Sequence, residues 1–181
     1  RDRPGNRGRR RDVDLTMLLD GRGENDVLLV DAPTGLGRTA GDVLLRAGEL
    51  TELAGGAALA FLFAGPRPDH ARDLLALLEA EIPVALLDPG MGEGTRASLL
   101  SRYRPDLVIG EHSLPLDGYS EAAPNVWRAE SPGPPSHPEL AVLLTTSGST
   151  GSPKFVQLSR DNIRSNAEQI AISLEIRQGD R

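Results

Sequence analysis

One stretch of the sequence consists almost entirely of residues that bind phosphate. Residues 145–157 contain a run of hydroxyl side chains and glycines that ends at the only lysine of the chain, Lys154. Hydroxyls donate hydrogen bonds to phosphate oxygens, glycines let backbone amides turn toward an anion, and a lysine adds a full positive charge. We therefore predict that this segment binds a polyphosphate. The candidate binding residues are Thr146, Ser147, Gly148, Ser149, Thr150, Gly151, Ser152 and Lys154.

The residues on either side of the lysine distinguish this segment from a Walker loop. A Walker loop has Gly before its lysine, Ser or Thr after it, and a helix that begins at once. Here those two positions are Pro153 and Phe155, and residues 155–158 resemble a strand. Because residues 140–144 also form an apolar strand pattern, the spacing predicts a strand–loop–strand hairpin. The alternative is an ordinary Gly/Ser turn that binds no ligand.

The choice of lysine at position 154 favours the phosphate-binding interpretation. Lysine occurs nowhere else in the chain, and arginine takes its place as the strongly basic residue. Lysine carries a compact point charge, whereas arginine presents a planar fork. The bulky Phe155 that follows it could either narrow the binding site or begin the return strand with a side chain that favours β structure.

The elements that must position this hairpin alternate between helices and apolar strands. An N-cap at Thr39 predicts a helix that reaches Leu53, and a short strand is predicted before it at residues 27–30. Further helices are predicted at residues 69–81 and 94–103, and strands at residues 57–64, 82–87 and 107–109. Three successive helix–strand cycles indicate right-handed crossovers onto one sheet. The sequence therefore predicts a doubly wound α/β fold, with a mainly parallel sheet flanked by helices.

Two further segments complete the predicted organisation. Residues 111–139 are rich in proline, so we expect a surface excursion with at most one short strand near Val126 and Trp127. Trp127 could stack on a base, but the pattern favours an apolar plug that anchors this segment. After the hairpin, a helix is predicted from residue 159 or 160 to residue 174. Its expected buried side consists of Ile163, Ala167, Ile170 and Leu174.

Composition excludes several classes of function. The chain has no cysteine, and the spacing of His70, His112 and His137 resembles no metal site, so we expect no dedicated metal site. Residues 1–14 form a basic arm that we expect to be disordered. The acidic remainder, at a net charge of -6 for the whole chain, argues against nucleic acid as a partner. Without a long apolar run or a secretory signal, the chain is expected to be cytoplasmic and to bind no membrane.

The residues from Thr146 to Lys154 resemble the phosphate-binding signature of the adenylate-forming (AMP-binding) superfamily. This superfamily comprises acyl-CoA synthetases, nonribosomal-peptide adenylation domains and luciferases. The segment Leu86-Leu87-Asp88-Pro89 and the terminal Gly179-Asp180-Arg181 resemble two further family motifs, in the expected order. One position departs from the pattern, because the family usually has Gly where this chain has Phe155. We therefore expect residues 15–181 to be the amino-terminal part of an adenylation domain.

The resemblance implies a ligase that forms AMP. Such an enzyme activates a carboxylic acid with ATP and Mg²⁺ as an acyl-adenylate, and passes the acyl group to a thiol of CoA or of a carrier protein. The family's adenine, ribose, hinge and carboxy-terminal lysine motifs are absent from this chain, so it contains no catalytic residue by this comparison. We therefore expect the 181 residues alone to be inactive. Two alternatives remain open: a noncatalytic phosphate-binding or interaction module, and a nucleic-acid-binding role for the basic arm.

Overall fold

A mixed sheet of seven strands forms the centre of the protein. The computed structural model describes residues 19, 21–56, 59–110, 117–146 and 154–176. Within them the strands are β1 Val27–Val30, β2 Gly37–Thr39, β3 Ala60–Phe63, β4 Val84–Leu87, β5 Leu107–Ile109, β6 Tyr119–Ala123, β7 Val126–Ala129, β8 Leu140–Thr146 and β9 Lys154–Ser159. The helices are α1 Ala40–Ala54, α2 Pro68–Glu79, α3 Glu93–Tyr103 and α4 Arg160–Ser173. None of these helices has the length and apolarity that crossing a bilayer needs.

The strand order of the main sheet is β6-β7-β5-β3-β4-β8-β9. The four central strands, β5, β3, β4 and β8, run parallel, whereas β6, β7 and β9 pair antiparallel at the two sides. The three predicted helix–strand cycles are therefore confirmed as α1–β3, α2–β4 and α3–β5. Because the chain returns to the other side of β3 after β4, its helices can cover both faces of the sheet.

Each face of the sheet carries its own apolar cluster. Residues of α1 and α2, including Leu50 and Leu77, pack on one face, and Leu99 of α3 packs on the other. Strand β3 is buried on both sides, with Phe61 and Leu62 fully inaccessible. Each such side chain contributes about 1.5–3 kcal/mol on burial. This explains why the central strands are continuous apolar runs rather than alternating ones.

Helix α1 begins and ends where local signals predict. The Thr39 side chain accepts a hydrogen bond from the Asp42 amide, and the Asp42 carboxylate accepts one from the Thr39 amide, which forms a capping box. This hydrogen bond to the Thr39 backbone is the main reason that the pKa of Asp42 lies below its usual range. Gly55, with φ of 57°, ends the helix in the left-handed conformation.

Charged side chains join the helices on this face. Asp73 of α2 is buried, and its Oδ1 accepts hydrogen bonds from Arg46 Nε of α1 at 3.1 Å and from Arg72 Nη2 at 2.7 Å. A buried carboxylate is tolerated because both arginines compensate its charge. This ion pair links α1 to α2 beside the apolar contacts that the two helices share.

The predicted strand at residues 27–30 is confirmed as β1, but it lies in a separate sheet. It pairs antiparallel with β2, and the two strands form a small hairpin in front of α1. Arg38 of β2 contacts Asp69 of α2 at 2.8 Å, and this hydrogen bond is the main reason that the pKa of Asp69 is lowered. The hairpin is therefore attached to α2 rather than to the edge of the main sheet.

The prediction of at most one strand in residues 111–139 is wrong. Two strands, β6 and β7, form a hairpin that extends the main sheet next to β5. Prolines lie outside both strands, so their missing N–H groups interrupt no ladder. Asn125, at φ of 61°, supplies the left-handed residue of the turn. Trp127 of β7 is half-buried against the apolar cluster on the α3 face, which agrees with its predicted packing role.

The predicted buried side of the last helix is also wrong. Helix α4 begins as predicted, with Ser159 as N-cap in a capping box with Asn162, yet the helix has no buried residue. Ile163 is half-buried, whereas Ala167, Ile170 and Leu174 are exposed. The reason is position: α4 follows β9, the edge strand, and no described element covers its far side.

Asp106 fastens the proline-rich segment to the base of the sheet. Its side chain is buried, and its two carboxylate oxygens accept hydrogen bonds from the Leu59 amide at 3.2 Å and the Gly133 amide at 2.9 Å. The backbone passes so close at Gly133 that an added Cβ would lie 2.0 Å from the Arg104 carbonyl oxygen. Only glycine fits there without displacing the backbone.

Replacement of Gly133 by alanine is therefore expected to destabilise the fold by about 1–3 kcal/mol, the usual cost of overpacking. The measurement is the free energy of unfolding from urea titration. Gly48→Ala is the matched control, because Gly48 is exposed on α1 with open space around it. That control should gain about 0.5–1 kcal/mol from helix propensity. Equal stability of the two variants would contradict the close approach at Gly133.

Candidate functional site

The two ends of the candidate phosphate-binding segment lie side by side. Strand β8 pairs antiparallel with β9, and the last register pair joins Thr146 to Lys154. The predicted return strand is thus confirmed, and the Walker arrangement of strand, loop and helix does not apply. Of the predicted binding residues, Ser147, Gly148, Ser149, Thr150, Gly151 and Ser152 lie outside the described residues. The described part of the candidate site is therefore the Thr146–Lys154 pair, which lies next to residues 147–153 and which we call the mouth of the hairpin.

The mouth lies at the carboxyl end of a buried parallel strand. Strand β8 pairs parallel with β4, and its residues Ala141, Val142 and Leu143 are buried. Ligands of open α/β sheets bind outside the carboxyl ends of the strands. The rigid, buried part of β8 therefore holds one end of the segment at a position where a ligand is expected, whereas the other end lies on the edge strand β9.

Lys154 and Phe155 point to opposite faces of the sheet. Lys154 is exposed, and Leu158 on the same side of β9 packs against the α1–α2 cluster. Phe155 packs into the cluster on the α3 face, with its ring centroid 5.0 Å from that of Tyr103 and 6.4 Å from that of Phe61. Of the two interpretations that the sequence leaves open, the structure favours Phe155 as a packed strand residue rather than a side chain that narrows the site.

The segment 86–89 contains the last two residues of β4 and the start of the turn that follows it. Asp88 Oδ1 accepts a hydrogen bond from the Gly90 amide at 2.7 Å, so the aspartate closes an Asx turn. Asp88 itself is exposed. Its described role is therefore to shape the chain between β4 and α3. The third motif, residues 179–181, lies outside the described residues.

The histidines take structural positions where they are described. His70 Nδ1 accepts a hydrogen bond from the Gly65 amide at 2.8 Å, and His137 Nδ1 accepts one from the Glu139 amide at 3.3 Å. His112 lies outside the described residues. Within the described ranges, no three His, Asp or Glu side chains are grouped as metal ligands would be.

A separate cavity of about 490 Å³ lies at the carboxyl ends of β3 and β4. Its walls come from the β1–β2 hairpin and the first turns of α2, and they include Leu29, Pro33, Ala64, His70 and Leu86. The lining is mostly apolar. This character differs from the run of hydroxyls and glycines in the hairpin segment, and the basic side chains of the lining are those of Arg67 and His70.

The fold and this site define a class of protein. It is a doubly wound α/β protein with a hydroxyl- and glycine-rich hairpin at the carboxyl end of a buried strand. The profile of the AMP-binding enzyme family matches residues 54–181. This match includes the whole sheet and the hairpin. The chain belongs to the AMP-binding enzyme family.

The chain is also similar in sequence and in fold to individual proteins. Over 124 residues, and 66% of this chain, the sequence is 31% identical to a long-chain-fatty-acid–AMP ligase, FadD32, of Mycolicibacterium smegmatis. The fold is similar to that of o-succinylbenzoate CoA synthetase (MenE) of Bacillus subtilis in complex with AMP, with a TM-score of 0.63, 18% identity and 86% of this chain covered. ATP-bound MatB of Rhodopseudomonas palustris also gives a TM-score of 0.63, with 16% identity over 88% of this chain.

This chain spans only part of each relative. It covers 18% of the length of FadD32, 44% of MenE and 37% of MatB. The fold and the family membership therefore apply to the chain itself, whereas the activity of a whole enzyme is a separate question.

Proposed function

We propose that this chain supplies the ATP-phosphate-binding hairpin of an AMP-forming ligase. The ligase activates a carboxylic acid as an acyl-adenylate, and then transfers the acyl group to a thiol of CoA or of a carrier protein. The observation that carries the proposal is the pairing of Thr146 with Lys154 at the mouth of a hydroxyl- and glycine-rich hairpin, in a chain of the AMP-binding family.

The hairpin residues act by positioning and by charge. In this proposal, the hydroxyls of Ser147, Ser149, Thr150 and Ser152 donate hydrogen bonds to the β- and γ-phosphates of ATP. Gly148 and Gly151 let backbone amides face the same oxygens, and Lys154 neutralises negative charge that develops on the leaving pyrophosphate. These groups neither donate nor accept a proton in the reaction. Their effect is to hold the α-phosphate where a carboxylate oxygen can attack it.

Mg²⁺ accompanies the nucleotide in this proposal, and it adds charge neutralisation when it is bound there. Because the described residues contain no cluster of metal ligands, the chain's own contribution is the set of hydrogen-bond donors and the lysine that hold the phosphates. The carboxylate binds outside the hairpin.

Two features support a division of labour between this chain and further residues. The chain covers less than half of the aligned structures, and the apolar side of α4 is exposed within the described residues. We therefore propose that adenylation also requires residues beyond those of this chain. The identity of the acid and of the thiol acceptor would then depend on those residues.

The test is ATP–pyrophosphate exchange by two proteins: the 181 residues alone, and the same chain extended by the residues encoded downstream. We expect background exchange from the first and exchange that depends on an added carboxylic acid from the second. A panel of acids and of CoA or carrier-protein acceptors then identifies the substrates. Robust exchange by the 181 residues alone would overturn the division of labour. An extended chain that binds ATP without any exchange would favour the noncatalytic module instead.

A further inference from the structure

The start of strand β9 is attached to helix α3 by a cluster of three aromatic rings. Phe155 meets Tyr103, the last residue of α3, edge to face, with the ring planes at 83°. It also lies within 6.4 Å of Phe61, measured between ring centroids, and Phe61 belongs to the central strand β3 and is fully buried. The Phe61 and Tyr103 rings are themselves 6.3 Å apart. These spacings are those of mutually attracting aromatic rings.

This attachment is placed where the hairpin most needs one. Strand β9 is the edge of the sheet, and it has a pairing partner on one side only, β8. An edge strand frays from its ends, because its terminal pairs are held by few contacts. The pair that begins β9 is Thr146 with Lys154, and the next is Thr145 with Phe155. Phe155 is therefore the first side chain of β9 that ties the strand to the interior.

The other side chains near this end of β9 offer less. Val156, the next residue, lies on the opposite face and is 44% exposed. Leu158 is half-buried but lies near the far end of the strand. The register at the mouth of the hairpin thus depends on the ring of Phe155 more than on any other described side chain of β9.

We infer that Phe155 is a positioning residue: its packing against Tyr103 and Phe61 fixes the Thr146–Lys154 pair in register and so holds Lys154 where ATP phosphates bind. Phe155 itself touches no phosphate, because its ring is on the other face of the sheet. The kinetic consequence rests on the proposed function. The structural consequence, a fixed register at the mouth of the hairpin, does not.

The inference predicts an effect on KM rather than on kcat. Without the ring, the mouth of the hairpin samples frayed states, and the apparent affinity for ATP falls by the fraction of molecules in register. Bound nucleotide restores the register, so the rate at saturating ATP changes little. Since one aromatic pair favours the packed state about 2- to 10-fold, Phe155→Ala should raise the KM for ATP by up to about that factor.

The kinetic experiment compares five variants of the extended, active chain. Phe155→Ala and Tyr103→Ala should each raise the KM for ATP, and the double variant should raise it no further than the larger single effect. Phe155→Tyr, which keeps the ring, should restore the original KM. Leu99→Ala is the matched control, because Leu99 is buried in the same cluster on α3 but belongs to neither hairpin strand. It should lower stability without changing the KM.

Hydrogen exchange on the 181-residue chain provides the second measurement. In Phe155→Ala, amides of residues 144–146 and 154–156 should exchange about 2- to 10-fold faster relative to those of β3, and in Leu99→Ala they should not. Phe155→Leu, which keeps apolar volume, is the substitute if Phe155→Ala does not fold.

The outcomes separate the two proposals. If Phe155→Ala and Leu99→Ala behave alike in both measurements, Phe155 is an ordinary core residue and the inference is overturned. If exchange at the mouth rises in Phe155→Ala while the loss of Lys154 leaves adenylation unchanged, the positioning of the strand holds and the proposed phosphate-binding role fails.

Discussion

Replacement of Lys154 by alanine in the extended chain is expected to lower the rate of adenylation about 10- to 150-fold. The lysine is the only one in the chain, it is exposed, and it stands at the mouth of the hairpin opposite Thr146. A hydrogen bond to a charged group contributes about 1.5–3 kcal/mol, and the loss of that amount in the transition state gives this range of rates. The measurement is ATP–pyrophosphate exchange at a fixed acid concentration, with the melting temperature recorded in parallel.

Two controls separate the position of the charge from its presence. Lys154→Arg keeps the charge but replaces a compact ammonium with a planar fork, so we expect partial activity. Arg164→Ala also removes one positive charge, from α4, where the arginine pairs with Asp161 and Glu168 of the same helix. It should leave the rate unchanged, since exposed ion pairs contribute little. Unchanged kinetics in Lys154→Ala would show that the hairpin is not the phosphate site.

Features with local causes could be predicted from the sequence. The capping box at Thr39 and the glycine at position 55 lie within a few residues of the helix that they delimit, so the bounds of α1 were predictable. The central strands are apolar on both faces because helices cover both faces, and that pattern is visible in sequence. The return strand β9 was also predictable from a local pattern, because a β-favouring run directly follows the glycine-rich segment.

Features that depend on distant parts of the chain could not be predicted. Strands β6 and β7 have mixed, partly exposed patterns, and they exist because β5 offers an edge with which β7 can pair. Their short runs between prolines carry no signal of that edge. Helix α4 shows the opposite error: its apolar spacing is typical of a buried face, but burial requires a covering element, which the described residues do not contain.

The same distinction applies to the candidate site. The residue types of the hairpin and the charge of Lys154 are properties of the sequence, so the site could be located from it. The orientation of Phe155 follows from the strand alternation, but its significance depends on Tyr103, which is distant in the chain and meets it only after α3 has packed. No sequence spacing relates the two rings. The attachment of the hairpin to α3 therefore needed the structure.

Loss of the buried Asp106 side chain is expected to destabilise the fold strongly, because it joins three parts of the chain. Asp106 immediately precedes β5. Its carboxylate accepts hydrogen bonds from the Leu59 amide, just before β3, and from the Gly133 amide in the proline-rich segment. Asp106→Ala would leave the amides of Leu59 and Gly133 without these acceptors. Hydrogen bonds to a charged group contribute about 1.5–3 kcal/mol each, so the expected loss in free energy of unfolding is about 3–6 kcal/mol.

The chemical details of this substitution can be resolved with two further variants. Asp106→Asn keeps one acceptor oxygen but turns an NH₂ donor toward the other amide, so its loss should be smaller than that of Asp106→Ala yet still exceed about 1.5 kcal/mol. Asp117→Ala removes an exposed carboxylate from the proline-rich segment itself, and it should change the free energy of unfolding by less than about 0.5 kcal/mol. Urea unfolding at neutral pH measures all three. If Asp106→Ala is no less stable than Asp117→Ala, the Asp106 side chain does not fasten the proline-rich segment, and the β5–β7 pairing and backbone contacts hold it to the sheet.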